Sequence, residues 1–359
     1  MKFVHIADMH FDTSFTTLTS KAGLGDSRRL DQRQVFNKII NYIKENNIPY
    51  LFIAGDLYEH EYIRQSTIEY INSLFAQIPE TQIFISPGNH DPYLKNSFYS
   101  KYYWNENVHI FESKLSVFEL EDVDIYGYGF DDFYYTNNDL ENMSVKSRNK
   151  INILLAHGTL NASSTLEKEY NPISEKLLNE KGFDYVALGH IHKLDYNTKQ
   201  EQKIVYPGST VSLGFDELGE HGMIVGDINK NSLNLQFIPL DNKEFVVKEL
   251  DVTDILDLEE LATIMNNMIF EENIYYKISL IGRRNFDIDV YKLNKLLTCN
   301  NVIKIKDYTK INYDLERISK ENTLKGLFVK EILEKLSNNP EDEEVLENAL
   351  EIGFEILEK

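Results

Sequence analysis

Residues 50–58 read Tyr50-Leu51-Phe52-Ile53-Ala54-Gly55-Asp56-Leu57-Tyr58, and this stretch sets the architecture. A short apolar run after Pro49, with no polar residue at alternate positions, is a strand buried on both faces, as in parallel α/β sheets. Gly55 then lets the chain turn sharply, and an acid stands at the strand's carboxyl end. Four more runs repeat the arrangement. Phe3-Val4-His5-Ile6-Ala7 leads into Asp8-Met9-His10, and Gln82-Ile83-Phe84-Ile85-Ser86 into Pro87-Gly88-Asn89-His90-Asp91. Ile151-Asn152-Ile153-Leu154-Leu155-Ala156 leads into His157-Gly158, and Asp184-Tyr185-Val186-Ala187-Leu188 into Gly189-His190-Ile191-His192.

Between the first two runs, Val35, Phe36, Ile39, Ile40 and Ile43 fall on one helical stripe that Pro49 ends. Strands alternating with helices predict an α/β domain over residues 1–240. The added strands with Gly-rich turns from Asp124 to Tyr206 predict a mixed sheet or two stacked sheets. Residues 245–312 read as a separate β-α-β-α-β cap, with Leu258, Leu261, Ala262, Met265 and Ile269 inward on its first helix. Residues 318–359 read as a helical tail with two apolar stripes: Leu324, Leu327, Phe328, Ile332 and Leu336, then Leu346, Ala349, Leu350, Gly353 and Leu357. Asn339-Pro340 ahead of Glu341–Glu344 predicts the start of the last helix.

The chain has 359 residues, 42% hydrophobic and 26% charged, an ordinary composition for a globular protein of two or three domains. Cys299 stands alone, so no intramolecular disulfide is possible. No apolar run is long enough to span a bilayer, and Met1–His5 carries no signal-peptide core, so a cytoplasmic protein without a membrane partner is expected. With 37 Lys+Arg against 58 Asp+Glu, the net charge is -21. That excludes a nucleic-acid coat protein working by phosphate neutralisation. A nucleic-acid enzyme stays open, because bound divalent metals can supply local positive charge.

Carboxyl ends of strands are where α/β sheets bind ligands, so the five turns converge on one crevice. The pairs Asp8/His10 and His190/His192 lie two residues apart and point to one side of an extended backbone. Carboxylate, amide oxygen and imidazole without thiolate suit manganese, iron or zinc. Seven candidate ligands exceed one tetrahedral ion and suit two ions sharing a carboxylate, about 3.5–4 Å apart, a centre that clamps a phosphoryl group. Any one block alone is weak; five in one domain are not an accident of composition. His5, His109 and His221 stand outside the set and read as ordinary core or surface histidines.

The ordered blocks Asp8-x-His10, Gly55-Asp56, Gly88-Asn89-His90-Asp91, His157-Gly158 and Gly189-His190-x-His192 resemble the calcineurin-like metallophosphoesterase superfamily over the first 240 residues. Ala54–Tyr58, Val205-Tyr206-Pro207-Gly208-Ser209 and the cap are similar to the SbcD/YhaO-type DNA repair exonucleases. The resemblance implies a four-layer α/β/β/α sandwich with the cap and tail attached. It implies one metal held by Asp8, His10, Asp56 and His192, and a second by Asp56, Asn89, His157 and His190. His90 would serve the leaving oxygen, with Glu59 or His60 orienting it. Manganese, DNA, a homodimer and an SMC-like ATPase docked on the tail are the cofactor, substrate, state and partner that follow from the resemblance.

The resemblance leaves two other readings: a phosphatase or nucleotide phosphodiesterase on the same scaffold, which the acidity favours, and a largely non-catalytic recruiter of the ATPase. Arg28/Arg29/Arg33 and Lys146/Arg148/Lys150 read as solvated faces, and Arg283/Arg284 as the best candidates for DNA contacts. Tyr58 and the Phe98-Tyr99/Tyr102-Tyr103-Trp104 cluster are expected in core or dimer packing, with base stacking as the alternative.

Overall fold

The computed structural model describes residues 1–15, 18, 23–135, 140, 141, 143–162, 170–196, 202–338 and 343–357. Residues 1–247 together with 271–277 form one compact unit, and residues 248–270 with 278–359 a second.

In the first unit the five runs become strands β1 (Lys2–Ile6), β2 (Tyr50–Ile53), β3 (Gln82–Ile85), β7 (Ile151–His157) and β10 (Tyr185–Gly189). Helices α1 (Leu24–Asn46), α2 (Gln65–Phe75) and α3 (Phe98–Lys101) lie between the early strands in sequence, and α4 (Glu175–Lys181) precedes β10. The remaining strands are β4 (Val108–Ile110), β5 (Ser116–Glu119), β6 (Val123–Gly127), β8 (Thr159–Leu160), β9 (Pro172–Ile173), β11 (Ile204–Val205), β12 (Gly222–Asn229) and β13 (Ser232–Pro239). They make two main sheets, ordered β13-β12-β1-β2-β3-β4 and β11-β10-β7-β6-β5. Within them β1 to β4 run parallel, as do β6, β7, β10 and β11, while β5, β12 and β13 pair antiparallel.

Alternation along each strand shows why both faces are apolar. Phe3, Phe52 and Phe84 of the first sheet share a core with Ile125, Ile153, Leu155, Tyr185 and Ala187 of the second. Their neighbours Val4, Ile6, Leu51, Ile53, Ile83 and Ile85 face Val35, Phe36, Ile39 and Ile40 of α1 and Ile68 and Ile71 of α2. On the far face of the second sheet, Leu154, Ala156, Val186 and Leu188 pack with Leu178 of α4. The layers are helix, sheet, sheet, helix, the sandwich that the family resemblance implies. Each such Val, Leu, Ile or Phe side chain, fully buried, contributes about 1.5–3 kcal/mol relative to exposure.

Gly189, at the end of β10, lies directly against the backbone at the end of β2. A methyl group there would overlap the backbone carbonyl of Ala54 at the end of β2, with no flexible side chain to move aside. Gly189→Ala is expected to destabilise the domain by about 3 kcal/mol or more, or to prevent folding, since overpacking against fixed backbone has no relief. Denaturant unfolding of the variant checks this.

The second unit is built around β14 (Glu244–Asp251), α5 (Leu258–Asn267), β15 (Ile274–Ile281), β16 (Arg283–Arg284), α6 (Val290–Leu296), β17 (Val302–Asp307) and β18 (Lys310–Ile311). Strands β14, β15 and β17 form a three-stranded sheet, the division between units passing through β14 and β15. The chain continues into α7 (Leu315–Ile318), α8 (Leu324–Asn338) and α9 (Glu343–Leu357). Two expectations change here. Ile269 is 87% exposed, because α5 ends at Asn267 and the next residue is already extended. Leu324 and Leu327 are exposed as well, because the inward stripe of α8 runs through Gly326, Val329, Ile332 and Leu336. On α9, Leu346, Ala349, Leu350 and Phe354 face that stripe, and Gly353 makes room for the Phe328 ring. The Asn339-Pro340 cap lies outside the described residues.

Candidate metal centre

The five strand ends meet. After β1 the backbone leaves regular structure, with the Asp8 amide donating to Gly55 O (3.1 Å) and that of His10 to Asp56 O (2.9 Å). Asp8, His10 and Asp56 hold left-handed φ of 51°, 48° and 52°, and His190 is at 103°. Non-glycine residues adopt such angles at a cost of about 1–3 kcal/mol each, and persist where surrounding contacts fix them, commonly at functional sites. Asp91 is one of those contacts. Its carboxylate accepts the amides of Asp56 (3.0 Å), Leu57 (2.7 Å) and Gly88 (2.6 Å) and the Tyr99 hydroxyl (2.6 Å), joining the turns after β2 and β3.

The side chains form two groups that touch at Asp56. In the first, His10 Nε2 lies 3.1 Å from His192 Nε2 and 3.7 Å from Asp56 Oδ2, and His192 Nε2 is 4.0 Å from Asp8 Oδ1. In the second, Asn89 Oδ1 lies 3.0 Å from His157 Nε2 and 3.2 Å from His190 Nδ1, and His157 Nε2 is 3.3 Å from Asp56 Oδ2. Nitrogens and oxygens gathered at these separations suit donors around cations with bonds near 2.0–2.2 Å, and the set offers no thiolate. Asp8, His10, Asp56 and His192 form one compact candidate set for a metal ion.

In His157, His10 and His192 the ring nitrogen facing away from the cluster is tied down. Imidazole ligands ordinarily need such a partner to fix ring and tautomer. His157 Nδ1 donates to Ala54 O (2.8 Å), His10 Nδ1 pairs with Glu59 Oε1 (2.8 Å), and His192 Nδ1 with Glu217 Oε1 (2.5 Å). Glu217 is itself held by Ser209 Oγ (2.8 Å) and the Leu213 amide (3.1 Å), and His221 lies 2.9 Å from that Ser209 hydroxyl. Sequence reasoning misses Glu217; its only signal is a place just beyond Val205–Ser209. The Asp91 carboxylate is taken up by the turn backbone and the Tyr99 hydroxyl.

His90 stands beside the cluster, its side chain 45% exposed. Its amide donates to Asp56 Oδ1 (2.8 Å), and its Nδ1 pairs with Glu59 Oε2 (2.9 Å). Glu59 thus spans His10 and His90. His60 turns away, contributing only its amide to His90 O (2.8 Å).

The buried charges explain each titration. Burial would raise the Asp56 carboxyl, but His157, His10 and His90 hold it well below the usual range. Asp8 is raised, burial outweighing His192, His157 and His10. Burial lowers His157 and His192, yet Asp56 and Asp8 for the first and Glu217 and Asp8 for the second carry both to about 9. Burial, then the His157 charge, takes His190 to about 3. Against burial, Glu59 raises His90 to about 9 and is itself lowered to about 2.

Other candidates lie elsewhere. Arg28 is fully buried, pairing with Asp241 and, at 3.2 Å, Asp31, which corrects its reading as a solvated face. Tyr58 and Tyr99 are core residues. In the second unit, Arg284 donates to Phe286 O (2.8 Å) and Asp287 (3.0 Å), while Arg283 lines a cavity of about 280 Å³ with Tyr313, Leu336, Leu350 and Phe354. No helix among the described residues is long and apolar enough to cross a membrane.

A model of calcineurin-like phosphoesterases matches residues 1–194. The uncharacterized metallophosphoesterase YhaO of Bacillus subtilis is 24% identical over 278 residues, 73% of this chain but 65% of YhaO, less than two thirds of that relative's length. The SbcD subunit of nuclease SbcCD from Staphylococcus epidermidis is 28% identical over 344 residues, 84% of this chain and 86% of that protein. The crystal structure of TT1561 of Thermus thermophilus overlaps 66% of this chain and 98% of its own, at 11% identity and a TM-score of 0.38.

Proposed function

The chain belongs to the calcineurin-like phosphoesterase family, hydrolases of phosphate esters, and on that premise we propose that it is a two-metal phosphodiesterase that cuts DNA. One observation carries the reading: Asp56 stands between two sets of donors, Asp8/His10/His192 and Asn89/His157/His190. Two divalent cations held there, manganese being the one proposed, would polarise the phosphoryl group and lower the pKa of water. The protein's own residues do the rest. Ala54, Glu59 and Glu217 fix the ligand rings, so the donors need no rearrangement to receive a phosphate. His90 is placed to give the leaving oxygen a proton from Nε2, with Glu59 holding its Nδ1. Similarity to the SbcCD nuclease subunit supports DNA as substrate. It also supports an SMC-like ATPase as partner, docked on the exposed Leu324, Leu327, Val345, Ile352 and Ile356 of the tail helices.

The test is incubation with manganese and end-labelled duplex and single-stranded DNA, alongside aryl phosphomonoesters and phosphodiesters. DNA cleavage is expected. Fast monoester turnover with no DNA cut would instead identify a phosphatase, the reading that the net charge of -21 favours.

Two further outcomes follow from the ligand assignment. His157 and His192 bind protons up to about pH 9 in the metal-free chain, and ligation requires neutral imidazoles. Cation affinity should therefore rise with pH up to about 9, with about two protons released near pH 7.5. Calorimetry in buffers of different ionisation enthalpy measures this, and no release would contradict the assignment. Glu217→Gln, which keeps the shape but weakens the grip on His192, should weaken cation binding about 10–100-fold. Equal affinity in the variant would remove Glu217 from the site.

A further inference from the structure

Aromatic rings continue from the ligand cluster to the protein surface. The Tyr170 ring stacks on that of His190, centroids 5.2 Å apart and 30° between planes. Tyr134 lies against Tyr170 in turn, at 5.8 Å and 37°. The two segments are tied by a parallel bridge between Tyr135 and Tyr170 and by the Asn171 amide donating to Tyr135 O (2.6 Å). Tyr134 nevertheless remains 57% exposed. Beside it, Phe133 is 38% exposed and meets the edge of His60, whose amide is bound to the His90 carbonyl. Tyr62 and Tyr103 are open as well, at 55% and 95%; what sets Tyr134 apart is its contact, through Tyr170, with the His190 ring. Tyr58, Tyr99 and Trp104, by contrast, sink into or against the helix-side core.

The chain's charge gives these rings a task. At -21, with Asp131 and Asp132 exposed just ahead of Phe133, attraction between basic side chains and a phosphate backbone cannot supply most of the affinity. Stacking a base on an aromatic face is indifferent to that charge and to base identity. Tyr134 stands one ring away from His190, as a base stands one sugar away from its phosphate. A base inside a duplex already has both faces covered and can reach the platform only once it is unpaired.

We propose that Tyr134, with Tyr170 beneath it, is a stacking platform that receives an unpaired nucleobase beside the phosphate under attack, so that the enzyme takes nucleic acid by unpaired nucleotides. The proposal rests on the nuclease reading and adds the feature of the substrate that the site selects. The probes are oligothymidylates in manganese, with thymine or an abasic tetrahydrofuran residue at the terminal positions. The ratio of kcat/KM for the two substrates is the readout. The wild-type ratio should be about 5 to 150, the worth of one base–aromatic stack. It should fall towards one in Tyr134→Leu and return in Tyr134→Trp, with a shallow dependence of KM on salt throughout. If the wild-type protein cuts both oligonucleotides but Tyr134→Leu keeps the wild-type ratio, the platform is wrong and the nuclease reading stands. If it hydrolyses aryl phosphodiesters but neither oligonucleotide, the nuclease reading falls and the platform with it.

Discussion

Asp56→Asn is expected to lower phosphodiester hydrolysis by about a thousandfold or more, and to empty both cation positions rather than one. One oxygen of Asp56 reaches both donor groups, 3.7 Å from His10 Nε2 and 3.3 Å from His157 Nε2. An amide can supply one neutral oxygen but not a shared negative charge. The fold should survive, because an asparagine at this position can still accept the His90 amide through Oδ1 and its own backbone still donates to Asp91. Elemental analysis of the variant checks the claim: two ions retained per chain would show that Asp56 does not bridge.

His90→Gln should act differently, lowering kcat by about 10²–10⁴ while cation content stays at the wild-type level. The ring lies outside both donor groups and is anchored through Nδ1 to Glu59 and through its amide to Asp56. A proton donor matters in proportion to the basicity of the leaving group. The loss should be large for DNA, whose leaving alkoxide is basic, and should shrink for a nitrophenyl diester, whose phenolate departs unaided. An equal loss on both substrates would mean that His90 positions the phosphate rather than protonating the departing oxygen. Loss of bound ions would place it among the ligands. If the recruiter reading holds instead, removal of residues 318–359 would abolish the biological effect that His90→Gln leaves intact.

The sandwich is legible because both faces of β1, β2, β3, β7 and β10 are buried, which writes each strand as a largely apolar run, with His5 and Asn152 as interruptions, and because a metal-binding type of residue follows each run within a few positions. The seven donors come with the strands. What stays illegible depends on contacts between residues far apart in sequence. Arg28 reads as one of three surface arginines, yet its partner Asp241 lies 213 residues on and draws it into the core. Glu217 sits in a loop 25 residues after His192, with no periodicity to mark which way it points. The aromatic residues divide along the same line. Core packing can be expected for Tyr58, which lies next to an apolar run, whereas the exposed Tyr134 is defined by its neighbour Tyr170, 36 positions later.

The two sheets contribute unequally to the crevice between their strand tips. Asp8, His10, Asp56 and Asn89 follow strands of the first, while His157, His190 and His192 belong to the second. Ions seated among them would rivet one half of the sandwich to the other, lending stability by mass action in proportion to the logarithm of their concentration. A chelator would then do more than silence the enzyme: it would loosen the seam between the halves, and amides in β7 and β10 would exchange with solvent sooner than those in β2.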